Sequence, residues 1–151
     1  MRCKCLWVVA IALLAVSGSL QGGGGKDEIK GDLKKLQGTW KFIVHEMDGK
    51  SLPKDDVAKT TITFVGDKWT VKQDVKVVQG GTHKLDSSKK PAQVDAVITD
   101  GEGKGGTMVG IYELSKNKLK VCFDIKGKER PTTFSSEGGK MLAVIEREKK
   151  K

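Results

Sequence analysis

The stretch KLKVCFDI, residues 118–125, decides the fold, because apolar and polar side chains alternate along it. Successive side chains of an extended strand point to opposite faces. One face of this strand would carry Leu119, Val121, Phe123 and Ile125, and the other Lys118, Lys120, Cys122 and Asp124. One apolar and one polar face are typical of an antiparallel sheet that buries a single side.

The same period of two extends to both sides of this stretch. Near the start, Trp40, Phe42 and Val44 are predicted to face one way and Lys41, Ile43 and His45 the other. Further strands are predicted at residues 61–64, 68–72, 75–78, 82–85, 94–99, 108–114 and 141–147. Turn residues separate them at Gly66-Asp67, Gly80-Gly81, residues 101–106, Lys116-Asn117 and Gly138-Gly139.

These strands predict an all-β domain. No helical stretch of 10–15 residues lies between them, which excludes parallel βαβ units. About eight or nine short strands indicate a barrel or a sandwich. A closed antiparallel barrel of about eight strands is favoured, because it leaves no sheet edge exposed.

The N-terminal part has a different pattern. Arg2 and Lys4 precede an apolar run, residues 6–16, and small residues follow, which is the order of a secretory signal peptide. We therefore expect a signal peptide at 1–19, a flexible glycine-rich leader at 20–26, the barrel domain at 27–148 and a basic tail at 149–151. Because of the signal peptide, the protein is expected to be exported to the periplasm, cell envelope or exterior.

Within 26–37, Ile29, Leu33 and Leu36 are spaced as on one face of a short helix.

Composition limits the possible partners. The 151 residues include 28 Lys and Arg against 19 Asp and Glu, a formal net charge of +9. The lysines are scattered and the aromatic residues fall on apolar strand faces, so no nucleic-acid partner is predicted. A weak, salt-sensitive attraction to an anionic envelope component is expected instead. Membrane contact is predicted only through the signal peptide, and the oligomeric state stays open.

Residues with catalytic chemistry are few. His45 and His83 are the only histidines, and neither belongs to a metal-binding motif. Cys122, the one cysteine left after signal cleavage, has no evident base partner. The glycine-rich residues 101–106 precede a strand, which indicates a hairpin tip instead of a phosphate-binding loop. We therefore predict no enzyme, no catalytic residue, no metal site and no cofactor.

Several stretches together resemble a known family. They are LQGTWKF (36–42), DGKSLP (48–53), GDKWTVK (66–72), GIYEL (110–114), LKVCF (119–123) and KERPTTFSS (128–136). As a set they resemble an uncharacterised family of small exported bacterial domains that is abundant in planctomycetes. The resemblance implies a lipocalin-like β-barrel with a short N-terminal helix, and it implies no established activity.

In lipocalin-like barrels a tryptophan closes one end and an arginine of the last strand lies across it. The resemblance therefore implies a structural role for Trp40, with Arg147 as the first candidate for a cation–π contact and Arg130 as the second. The alternative for Arg147 is a solvated basic tail with residues 149–151.

Two functions are compatible with such a barrel. The first is binding of a small apolar or amphipathic ligand in an interior lined by Val44, Phe64, Val71, Tyr112, Val121 and Phe123. The alternative is a structural or interaction module of the envelope, with a filled barrel that binds proteins or polymers by its surface.

Overall fold

A computed structural model describes the backbone of residues 24–150 and the side chains from residue 30 onward. Within this range there are two helices, α1 (Gly24–Leu36) and α2 (Lys54–Ala58). The same range contains nine strands, which are β1 (Gly38–Met47), β2 (Lys50–Ser51), β3 (Thr60–Val65), β4 (Lys68–Gln73), β5 (Lys76–Asp86), β6 (Ala92–Gly101), β7 (Thr107–Leu114), β8 (Lys118–Asp124) and β9 (Lys140–Arg147).

The predicted signal peptide, residues 1–19, and the first four leader residues, 20–23, lie outside the described residues. The last three leader residues were expected to be irregular, but α1 begins at Gly24. Residue 151 of the predicted basic tail also lies outside the described range.

Eight of the described strands form a closed antiparallel barrel. The strands β3 to β9 pair in chain order, and β1 closes the ring by pairing with β3 on one side and β9 on the other. The short strand β2 pairs only with the end of β1, at Glu46 and Met47. The predicted fold, an eight-stranded antiparallel barrel with a short N-terminal helix, is therefore confirmed.

The alternation of β8 places its apolar side chains inside the barrel. Leu119, Val121 and Phe123 face the interior, as predicted. The opposite face is less exposed to solvent than its polar residues suggested, since Cys122 is fully buried and Asp124 is 8% exposed. The segment between β8 and β9 covers this face, and the Cys122 thiol donates to the Ser135 carbonyl oxygen at 3.2 Å.

Asp124 anchors the covering segment where β8 ends. Its carboxylate accepts hydrogen bonds from the backbone N–H groups of Lys126, Lys128 and Glu129, at 3.1, 3.0 and 2.8 Å. These bonds favour the ionised carboxylate and lower the pKa of Asp124. The sequence interpretation of Asp124 as a solvent-facing strand residue was therefore wrong.

The predicted turn at Gly80-Gly81 was also wrong. Both glycines lie inside β5, which is one strand where two had been expected, and the turn before it is at Asp74-Val75. Trp69 pairs with Gly81 across β4 and β5. A Cβ atom at Gly81 would lie 1.9 Å from the Val97 carbonyl oxygen and 2.7 Å from the Trp69 ring. Gly81 is therefore needed for this close approach, and not for a chain reversal.

A β-bulge in β1 changes which residues face inward. Phe42 pairs with Ile145 of β9, and Val44 pairs with the next residue, Val144, so Ile43 is the extra residue. After the bulge it is His45, and not Val44, that faces the interior. The expectation that Val44 points inward and His45 outward was wrong, because strict alternation does not survive an inserted residue.

Candidate functional site

The barrel interior contains a cavity of about 140 Å³. Five of the six residues predicted to line the interior do so, namely Phe64, Val71, Tyr112, Val121 and Phe123. Val44 does not, and it instead lines a second cavity outside the barrel wall. The lining is mainly apolar and contains no Lys, Arg, Asp or Glu side chain among the described residues.

Trp40 closes one end of the barrel. Its side chain is fully buried, and its indole Nε1–H donates to the Leu36 carbonyl oxygen of α1 at 2.7 Å. The Arg147 guanidinium carbon lies 4.4 Å from the centre of the Trp40 ring. Arg147 also donates to the carbonyl oxygens of Gln37, at 2.7 Å, and Lys35. The predicted cation–π contact of Arg147 is confirmed, and the alternative of a solvated arginine is wrong.

The helix α1 covers this end of the cavity. Leu36 is buried and contributes to the cavity lining. The Tyr112 hydroxyl donates to the Asp32 carboxylate at 2.8 Å. Burial and this carboxylate both raise the pKa of Tyr112. The phenol is therefore neutral, and its proton is already used to hold α1.

Arg130, the second candidate for the contact with Trp40, has another role. It donates to the carbonyl oxygens of Val94 at 3.1 Å and Gly110 at 2.7 Å, and it pairs with the Asp95 carboxylate at 2.6 Å. These bonds attach the segment after β8 to β6 and β7. The placement of Arg130 over Trp40 was therefore wrong, while a structural role remains.

His83 is a buried polar side chain of the interior. It is 6% exposed, and neither ring nitrogen has a hydrogen-bond partner among the described residues. The Phe64 ring meets its imidazole edge to face, with centroids 5.5 Å apart. Burial lowers the pKa of His83, and the smaller opposite influence comes from Asp67. His83 is therefore a neutral imidazole with an unused donor and an unused acceptor.

His45 is the second interior histidine. Its Nε2 is buried and has no hydrogen-bond partner in the part of the chain that the structure describes. The Phe42 ring lies beside it, with centroids 5.4 Å apart. Burial also lowers the pKa of His45. Two imidazoles with unpartnered nitrogens, judged among the described residues, thus lie in a mainly apolar wall.

Neither histidine was predicted from the sequence as a site residue. For His83 a signal was present, because it shares a strand face with Leu85, two residues later. An unpaired polar residue on an apolar strand face indicates a ligand contact or a buried network. For His45 no such signal existed, since the bulge at Ile43 determines its direction.

The second cavity, of about 470 Å³, lies between β1 and the segment that contains α2. Ile43, Val44, Leu52 and Val57 provide most of its apolar lining. Phe42 and His45 line both cavities, so this part of β1 lies between the interior and the outer cavity.

Three further observations on residues 24–150 concern metal binding, thiol reactivity and membrane-spanning helices. No group of three or more His, Cys, Asp or Glu side chains in this range lies together in a way that would hold a metal ion. Burial raises the pKa of the Cys122 thiol, which disfavours the nucleophilic thiolate. None of the described helices combines the length and the apolar character that crossing a membrane requires.

No protein-family model, curated protein or solved structure matches the chain.

Proposed function

We propose that the barrel interior binds one small apolar or amphipathic molecule. The observation that carries this proposal is the cavity of about 140 Å³ with its mainly apolar lining. Apolar cavities of about 150 Å³ in proteins take up molecules of the size of benzene. The ligand is therefore expected to have about six to ten non-hydrogen atoms, fewer than a typical drug-sized ligand.

The lack of charged side chains in the described wall also limits the charge of the ligand. No charged side chain lines the cavity among the described residues. Transfer of an unpaired ion from water into such a site is very costly. The ligand is therefore expected to be neutral, and its binding energy would come mainly from buried apolar surface.

The alternative, an envelope interaction module with a filled barrel, has less support because the interior contains a cavity. Export, membership of the resembled family of exported domains, and attraction to an anionic envelope component belong to the proposal as well. Export rests on the N-terminal pattern, family membership on the six stretches quoted above, and the attraction on the net charge of +9. The absence of enzymatic activity likewise stays a prediction.

Thermal unfolding with small neutral compounds tests the proposal. Benzene, toluene, phenol and indole should each be added to the purified protein over a concentration series. A ligand that binds only the folded state raises the unfolding midpoint, and the rise grows with the logarithm of its concentration once that concentration exceeds Kd. If none of these compounds raises the midpoint of the unmodified protein, the proposal is refuted.

Two neighbouring substitutions provide a matched control. Ala96 lines the cavity and is 3% exposed, whereas Val97 lies on the outer face and is 40% exposed. Ala96→Leu adds three carbon atoms inside the barrel and should abolish the ligand-induced shift. Val97→Leu, one position along the same strand, should leave the shift unchanged. An equal shift in both variants would place the binding site elsewhere.

A further inference from the structure

We infer that His83 is the hydrogen-bonding contact for the ligand, which is therefore a neutral molecule carrying a hydroxyl or N–H group on a small ring. This inference rests on the proposed binding function and defines its ligand class. The evidence is the position of His83 in the cavity wall together with its two unpartnered ring nitrogens, judged among the described residues.

Burial makes the unpartnered imidazole energetically significant. A buried polar group without a partner costs about 1–3 kcal/mol, and most buried polar groups in proteins are hydrogen-bonded. This cost applies at His83 unless a partner reaches its ring, and the ring lies edge to face with Phe64 in the cavity wall. A ligand hydroxyl placed beside the ring would reduce this cost by pairing with one of the two nitrogens, because a hydroxyl can either donate or accept.

The other polar groups of the wall are less suited to this role. The Tyr112 hydroxyl already donates to Asp32, and the Thr60 hydroxyl donates to the Asp56 carbonyl oxygen at 2.7 Å. Gln79 already donates its side-chain amide to the Glu102 carbonyl oxygen at 2.6 Å. His45 lies at the partition between the two cavities and offers one unpartnered nitrogen, Nε2, within the described structure. His83 offers two, so it is the principal polar contact.

Phenol and toluene form a probe pair for this inference, since they have the same shape and differ only in a hydroxyl against a methyl group. Both should bind the unmodified protein, with affinities measured by isothermal titration calorimetry. His83→Leu removes the imidazole and both of its unpartnered nitrogens. It should weaken phenol binding about tenfold, as expected for the loss of one net hydrogen bond, and leave toluene binding unchanged or stronger.

The outcomes separate the inference from the proposed function. If neither probe binds the unmodified protein, the inference is refuted, and the proposed function is refuted with it when benzene and indole also fail to bind. If both probes bind and His83→Leu changes their affinities by the same factor, only the inference is refuted. The variant is expected to fold, because it replaces an unsatisfied polar group by an apolar one at a buried site.

A second measurement uses the unmodified protein. The ¹⁵N shifts of the His83 ring nitrogens report their protonation and hydrogen bonding. Saturating phenol should change the ¹⁵N shift of a His83 ring nitrogen through hydrogen bonding, and saturating toluene should not. Equal responses to both probes would mean that the imidazole does not recognise the hydroxyl, for instance because a water molecule stays bound to it, and would overturn the inference.

Discussion

At the scale of single residues, Arg147 joins three parts of the molecule. Its guanidinium lies over Trp40 and donates to two carbonyl oxygens at the C-terminal end of α1 and just after it. A planar guanidinium can make these contacts at once, because it presents several N–H groups in one fork and stacks on an aromatic face. Arg147 therefore fixes the helix, the first strand and the last strand to one another.

Replacement of Arg147 should measure this role. Arg147→Met retains most of the apolar stem and should lower the free energy of unfolding by about 2–4 kcal/mol, through loss of the cation–π contact and the charged hydrogen bonds. Arg147→Lys keeps the charge but not the fork and should lose less. Urea denaturation monitored by circular dichroism gives the values. Identical midpoints for all three proteins would contradict the assigned role.

The interior histidines make stability depend on pH. Burial lowers the pKa of His45 and His83 in the folded state, so the unfolded chain takes up protons first as the solution is acidified. Stability should be constant above the unfolded value of about 6.5 and fall below it, by at most about 1.4 kcal/mol per pH unit for each histidine. Asp67 partly offsets this at His83.

Denaturation series between pH 7 and pH 5 check this prediction. The double variant His45→Gln, His83→Gln should lose most of the pH dependence in this window, where the lowered carboxyl pKa values of Asp86 and Asp124 keep both groups ionised. A decline of equal slope in the double variant would show that other groups are responsible.

At the scale of elements, β1 shows where sequence patterns succeed and fail. The alternation of residues 118–125 correctly predicted the inward face of β8 at Leu119, Val121 and Phe123, because that strand is regular. It was wrong for Ile125, which follows the end of the strand and is 41% exposed. In β1 the same rule misplaced Val44 and His45, since one extra residue at Ile43 reverses the facing of the side chains after it. Bulges depend on how strands meet in three dimensions, which a single-strand pattern does not record.

Deletion of single residues tests the bulge. Without Ile43, Phe42 would still pair with Ile145 and Val44 with Val144. The residues of β1 before and after the bulge would therefore keep their inward or outward directions. This variant should fold cooperatively, with a loss on the order of 1 kcal/mol. Deletion of Lys41 is the control, because it would move Trp40 to an outward position. Thermal unfolding should show a large loss of stability only for the Lys41 deletion. Equal losses of stability in the two deletion variants would argue against a bulge.

At the scale of the whole molecule, the sequence predicted the barrel and its closed end but not the state of its interior. Closure was predictable from many short strands without intervening helices, and the Trp40–Arg147 contact from a family resemblance. The cavity was not predictable, because its volume is the small difference between a large enclosed space and the side chains that fill it. The burial of Cys122 could not be decided from the sequence, because an irregular segment covers it.

The helix α1 should be an integral part of the barrel. It provides Leu36 to the core, the acceptor for the Trp40 indole and a carboxylate for Tyr112. A chain that begins at residue 38 should therefore lose about 3–5 kcal/mol relative to one that begins at residue 24, and Trp40 should become exposed. Thermal unfolding and quenching of tryptophan fluorescence measure the two effects.

A substitution within α1 gives the control. Nothing lies within 4 Å of a Cβ atom placed at Gly31. Gly31→Ala in the longer chain should raise stability by up to about 1 kcal/mol, through helix propensity alone. If the two chain lengths were equally stable, α1 would not contribute to the fold.

The pairing of the first barrel strand with the last has a consequence for folding kinetics. Arg147 and its acceptor Gln37 are separated by 110 residues, so nearly the whole domain must be synthesised before β1 and β9 can meet. Loop-closure entropy makes such long-range contacts slow to form. During synthesis one edge of β1 therefore stays open until the final strand has left the ribosome, and over that interval the nascent chain is most exposed to association with other chains.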